Sequence, residues 1–215
     1  MRQILRLLVP LALLVATAAQ AAPGDLALHA GSKLWLTGSS TVHDYHSNAS
    51  KLDATFRCDP ALWPAGLSGA EAVAGLIRAK GVTGMDVVIQ VTGMKSGKEG
   101  LDKNMYKALL AEKHPEIRFR MAGYEVGAVT DTVTRIDVKG TLTVAGVDQE
   151  IAMAASMRRH GDAMRMTCDV PLLMTQFGVK PPKMMLGTIK TSDKVTVHFD
   201  LMIGAPEAAA TAGTE

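Results

Sequence analysis

Apolar and polar residues alternate with a period of two along most of the chain. Leu52, Ala54, Phe56 and Cys58 interleave with Lys51, Asp53, Thr55 and Arg57. The same rhythm returns at 85–91, 117–121, 136–144, 151–157, 164–172 and 195–203, with a less regular run at 32–42. Successive side chains of a strand point to opposite faces, so each run offers one apolar and one polar face. Eight such strands predict an antiparallel, all-β arrangement with one buried face. Residues 145–148 and 158–162 read as hairpin turns. Two stretches break the rhythm and predict short helices. One opens at Ser68, with Glu71 completing a capping box, and runs to about Ala79. The other is capped by Asp102 and runs to about Glu112, with Leu101, Met105 and Leu109 on one face and Pro115 stopping it. No repeat, long linker or break in composition divides residues 25–204, so a single domain is expected. Eight strands can close into a barrel or stack as a sandwich, and the pattern alone leaves both open.

The first 21 residues follow a different logic. Arg2 and Arg6 precede an apolar run from Leu7 to about Ala16, and Ala19-Gln20-Ala21 supplies small residues at a cleavage point. That is the anatomy of a cleaved export signal, and the run is too short to span a bilayer, which takes ~20 apolar residues. Residues 205–215, rich in Ala and Gly, read as a frayed tail. The charge balance changes once the leader is set aside. The chain holds 23 Lys and Arg against 21 Asp and Glu, and two of the 23 lie in the leader, leaving 21 of each. A neutral mature chain with 4% aromatics argues against nucleic acid as a partner. Nothing else is long and apolar enough to be a stable membrane span. Self-association into a homodimer is left open.

Few residues carry obvious chemistry. His43 and His46 flank Asp44 and Tyr45, which admits a metal or catalytic site, but rings three apart on a strand point to opposite faces. A structural or rim role is the better reading of them. No nucleophile elbow, phosphate loop or zinc spacing occurs. Cys58 and Cys168 share inward parity. A bridge between them would close a loop of about 110 residues, and the alternative is two buried thiols. Met153, Met157, Met164 and Met166 fit either a packed core or a cavity that adapts to a flexible chain, and patterning alone favours the core.

Four stretches in order change that preference. They are Gly38-Ser39-Ser40-Thr41-Val42-His43-Asp44-Tyr45, then Met94-Lys95-Ser96-Gly97 leading through Leu101-Asp102-Lys103-Asn104-Met105 to His114-Pro115-Glu116-Ile117-Arg118-Phe119, then Lys139-Gly140-Thr141-Leu142-Thr143-Val144-Ala145-Gly146-Val147, and last Gln176-Phe177-Gly178-Val179 followed by Asp193-Lys194-Val195-Thr196-Val197. Together, over about residues 32–203, they resemble the YceI-like family of lipocalin-like, polyisoprenoid-binding proteins. Residues 59–84 are longer than the simplest hairpin connection there. The resemblance implies a single eight-stranded antiparallel lipocalin-like barrel over 22–204, hollow rather than solid. It implies a periplasmic or secreted, non-enzymatic carrier, with an isoprenoid lipid or isoprenoid quinone as bound ligand and no cofactor. With the inward parity it nominates a ligand-binding wall: Val87, Ile89, Ile117, Phe119, Leu142, Val144, Met153, Met164, Met166, Val197 and Phe199. The alternatives are an exported metal-binding protein or enzyme with a site near His43–His46, and a solid-cored structural module.

Overall fold

A computed structural model describes residues 26–130, 132–184 and 188–205. The expected leader at 1–21 and nearly all of the expected tail at 205–215 lie outside these residues. The strands are β1 (Ala27–Leu28), β2 (Lys33–Ser40), β3 (Asp44–Ala49), β4 (Asp53–Cys58), β5 (Val82–Gln90), β6 (Met94–Lys95), β7 (Glu116–Val129), β8 (Thr134–Val144), β9 (Val147–His160), β10 (Ala163–Leu173), β11 (Lys183–Met184) and β12 (Ile189–Gly204). Two helices interrupt them, α1 (Gly69–Arg78) and α2 (Glu99–Ala108). Ten strands pair in the order β4-β5-β7-β8-β9-β10-β12-β2-β3-β6, and the short β1 and β11 add to β12. Every pairing is antiparallel.

The sheet is a curled half-barrel of ten strands, which corrects the expected clean eight-stranded barrel. The two extra strands had no apolar alternation to betray them. β3 reads Asp-Tyr-His-Ser-Asn-Ala, and β6 has only two residues. β4 forms one margin of the sheet and β3 lies next to the other, just inside β6, yet only residues 50–52 separate β3 from β4 in sequence. Those residues span at most ~15 Å, whereas eight strand spacings laid flat would set β3 and β4 about 38 Å apart. The sheet must therefore curl until its margins meet. A second crossing, the 3₁₀ turn Val91–Gly93, carries the chain from β5 to β6 over the same seam, and the Ser50 amide donates to the Gly93 carbonyl at 2.9 Å. Chain crossings rather than a ladder close the seam among the described residues.

The wall also parts once along its length. β9 and β10 are laddered only where 156–160 face 163–167. Farther along, Pro171 has no amide hydrogen to give. The Cys168 thiol donates to the Ala154 carbonyl at 3.3 Å, and the 3₁₀ turn Met174–Phe177 is held there by the Gln149 side-chain amide donating to the Gln176 carbonyl at 2.8 Å.

The helices sit at the two ends. α1 packs against β10 and β12, with Val73 and Leu76 fully buried beside Met157, Met164 and Ile203. The expected capping box is not formed. Ser68 is the N-cap without a side-chain bond, and Glu71 instead accepts from Arg159 at 3.0 Å near the end of β9. α2 starts three residues before its expected cap and ends at Ala108, because the chain turns through Leu110 at φ 54°. Asp102 lies within the first turn, buried, and accepts from the Ser96 hydroxyl at 2.6 Å and the Ser96 amide at 2.8 Å. It ties the β6–α2 loop to the helix rather than capping it. Cys58 and Cys168 are not bonded to each other; four strands of the sheet path separate β4 from β10.

The Ser96 hydroxyl bond, opposed by desolvation, holds the Asp102 carboxyl below its ordinary value. A depressed carboxylate stabilises the fold above its unfolded value, and this contribution is lost as the pH falls through the folded one. Asp102→Ala is expected to cost ~2 kcal/mol at neutral pH, or about 5 °C in Tm. In calorimetric melts the gap to the parent should narrow in acid; a gap independent of pH would refute the account.

Candidate functional site

Between the two helices the sheet encloses a cavity of about 240 Å³. Its walls are the inward positions of β2, β3, β5, β7, β8, β9, β10 and β12, and α2 lays Leu101, Met105 and Leu109 across it. Ten of the eleven nominated wall residues line it: Val87, Ile89, Ile117, Phe119, Leu142, Val144, Met153, Met166, Val197 and Phe199. Met164 does not. It faces inward but sits at the α1 end, buried in the packed core. The four methionines thus divide between the two readings: Met153 and Met166 line the cavity, while Met157 and Met164 are core. The interior is solid beside α1 and hollow beside α2.

Sequence reasoning missed β3, which contributes Tyr45 and Ser47, and the 173–182 segment, which contributes Met174 and Phe177. The apolar face expected on the second helix roofs the cavity. Among the described residues, Tyr45, Ser47, Asn104 and Thr191 are the polar members of the lining, and no charged side chain belongs to it. Burial pushes the Tyr45 phenol above its ordinary value, so it stays neutral and able to donate.

Two glycines help keep the lumen open. A Cβ on Gly140 would meet the Phe119 ring at 2.6 Å and collide with the Arg120 carbonyl oxygen. A Cβ on Gly38 would collide with the Tyr45 phenol, directly across the ladder. Each missing side chain leaves a slot in which a neighbouring ring lies along the wall instead of projecting inward.

The histidines lie outside this cavity. His43 is exposed in the β2–β3 turn, where Ser40 donates to its carbonyl at 2.8 Å, and His46 is exposed on the outer face of β3. Among the described residues no group of three His, Cys, Asp or Glu converges as a metal set. Another histidine makes the more ordered arrangement. His198 stacks on Trp35 with centroids 5.1 Å apart, its Nδ1 lies 2.7 Å from Asp169 Oδ1, and its Nε2 lies 2.8 Å from Thr37 Oγ1. With Nδ1–H donating to the carboxylate, Nε2 accepts from the Thr37 hydroxyl. The order matches a hydroxyl-activating relay. However, β3 and β12 flank Trp35–Gly38 on both sides and absorb the amides an oxyanion site would need. The relay pins the outer face of β2, β10 and β12. Cys168 is no better placed as a nucleophile, because burial raises its thiol above the ordinary value.

A curled antiparallel half-barrel around an uncharged apolar cavity defines a lipocalin-like architecture. A YceI-like domain matches residues 30–203, and the chain belongs to that family. No curated protein matches it at a significant level. Among solved structures it is similar to Burkholderia cenocepacia BcnA, at 15% identity over 83% of this chain and 100% of that one, with a TM-score of 0.62. It is also similar to a polyisoprenoid binding domain from Saccharophagus degradans implicated in plant cell wall breakdown, at 17% identity over 86% and 100% of the two chains, TM-score 0.57. A Campylobacter jejuni YCEI protein follows at 18% identity over 75% and 85%, TM-score 0.53. At these identities the likeness speaks for the fold.

Gly140→Ala should drive the Phe119 ring into the lumen and strain β7 against β8. A loss of more than ~2 kcal/mol is expected from the backbone contact alone. Restoring space with Gly140→Ala/Phe119→Leu should recover part of the loss in urea melts. No recovery would separate Gly140 from the ring.

Proposed function

We propose that the protein is a non-enzymatic carrier that holds a long, uncharged isoprenoid chain in this cavity. The observation that carries the reading is a hollow interior walled by Leu, Ile, Val, Met and Phe with no charge in it. Burying a methylene-sized group is worth ~0.8 kcal/mol, or about 4 kcal/mol per five-carbon unit, before the cost of ordering the chain. A charged head group has no counter-ion inside and belongs at the open end. A neutral head group, as in a prenyl alcohol or isoprenoid quinone, meets Tyr45, Ser47 and Asn104 instead. The family and its polyisoprenoid-binding structural neighbour support the lipid reading. The packed α1 half accounts for the solid-core alternative locally, and the hollow half opposes it.

A water-insoluble cargo needs a carrier where lipid has to cross an aqueous space. The leader at 1–21 supports a periplasmic or secreted setting for that task. Among the described residues no helix is long and apolar enough to cross a membrane. N-terminal sequencing of protein from its native host should begin near Ala22, and recovery of intact Met1 would defeat the export reading.

Organic extraction of the natively purified protein followed by mass spectrometry is expected to release a prenyl lipid near one per chain. Met153→Gln adds polarity to the cavity wall and should weaken prenol uptake about tenfold. Met164→Gln should lower stability and leave the affinity of the folded protein close to the parent's. Absence of both retained lipid and uptake in vitro would reject the carrier reading.

A further inference from the structure

One end of the half-barrel differs from the other in what it shows to solvent. α1 seals the far end with Val73 and Leu76 fully buried. The registers set the opposite end. Ser40 faces Thr191, Leu173 faces Lys194, Val144 faces Val147 and Gln90 faces Glu116. These pairs bring the β2–β3 turn, the residues after α2, the end of β10 and the start of β12 to a common rim. Leu173 and Thr191 on that rim also line the cavity, so it is the cavity's mouth.

Three large apolar side chains stand exposed on this rim: Val42 at 65%, Leu110 at 50% and Leu173 at 41%. Beside them the segment 174–192 carries Lys180, Lys183 and Lys190 and no acidic residue. Lys183 lies directly opposite Lys190 in the short β11–β12 ladder. Like charges so placed destabilise a ladder. Neither lysine has a carboxylate partner among the described residues. The nearest acid in sequence, Asp193, is already taken by the Thr175 amide at 2.9 Å and hydroxyl at 2.6 Å. Asp44 beside Val42 and Glu112 beside Leu110 are the exposed acids near these apolar side chains, and Lys113, Lys180, Lys183, Lys190 and Lys194 outnumber them, which suits a surface that is negative at its boundary and apolar beneath it.

We propose that this rim docks on an anionic lipid bilayer and passes the isoprenoid directly between bilayer and cavity. The proposal rests on the carrier reading and adds the surface that serves it. Val42 and Leu110 enter the headgroup boundary, the lysines answer the anionic surface, and Leu173 continues the apolar path inward. The mature chain is neutral as a whole, so attachment is local, salt-sensitive and reversible.

The test is flotation of the mature protein with vesicles of phosphatidylcholine alone and of phosphatidylcholine mixed with phosphatidylglycerol, at low and high salt. The variants are Lys183→Gln/Lys190→Gln and Val42→Ser/Leu110→Asn, the last keeping a residue tolerant of positive φ. None of the four lines the cavity. Uptake of geranylgeraniol delivered from ethanol without vesicles measures carrying separately. The expected result is flotation on the anionic vesicles alone, lost in high salt and weakened at least about tenfold in each variant, with geranylgeraniol uptake unchanged. A protein that takes up geranylgeraniol but does not float on anionic vesicles overturns the docking and leaves the carrier standing. Equal flotation on neutral vesicles, or variants that split a dimer in sedimentation while floating normally, overturns it too. Flotation with no geranylgeraniol uptake sinks the carrier reading instead.

Discussion

Two short crossings at one seam govern the shape of this protein. Residues 50–52 join β3 to β4 across the seam, and Val91–Gly93 joins β5 to β6 across it again beside α2. Neither is long enough to span a flat sheet, so curvature is imposed by chain length before any side chain is considered. Once curled, the sheet has an inside, and the period-two alternation places the apolar set there. The hydrophobic effect then acts on a space whose size the strand count has already set. Ten curled strands enclose more volume than their own inward side chains fill. The two helices take up the excess unequally: α1 plugs its end, whereas α2 lies across the other as a roof.

Keeping the second half empty takes further devices. Gly38 and Gly140 give ring-shaped neighbours somewhere to lie other than the lumen. Asp102 holds the start of α2 to Ser96, which keeps Leu101 and Met105 at the roof. Had these positions been alanines, the same apolar composition would have favoured collapse toward a packed core. Hollowness here is a property of a few small or hydrogen-bonded residues, not of the apolar majority.

That explains what the sequence disclosed and what it withheld. Long strands with clean alternation, such as β8 and β12, were legible because Ile136, Val138, Leu142 and Val144 in one and Val195, Val197, Phe199, Leu201 and Ile203 in the other turn to the interior. The same parity turned the nominated residues inward, and the resemblance rather than the parity made them a wall; ten of the eleven line the cavity. β3 was illegible because Tyr45 and Ser47 face a cavity rather than packed carbon, so neither needed to be apolar. Met164 and Met166 share one parity, and only their distance along the barrel separates core from cavity, which periodicity does not encode. The start of α2 misled for a different reason. An aspartate before an apolar face has the composition of a cap, but Ser96 offered its carboxylate a stronger set of donors inside the first turn.

The methionines and the parted wall bear on the same physical question, how far the cavity can change its shape. Six methionines line it, at 85, 94, 105, 153, 166 and 174, nearly half of the thirteen in the sequence. Unbranched thioether side chains change rotamer at low cost and fill or vacate space accordingly. The wall itself can yield where β9 and β10 part, because separation there breaks no ladder bonds. It breaks the Cys168 thiol bond to Ala154 and the Gln149 bond to the 174–177 turn, both weaker than a run of backbone pairs. Met153, Ala155, Val170 and Leu172 stand on the two lips of that gap and all line the cavity. Among the described residues the β9–β10 gap is thus a stretch of wall facing the lumen that no ladder holds, as is the seam crossed at residues 50–52 and 91–93.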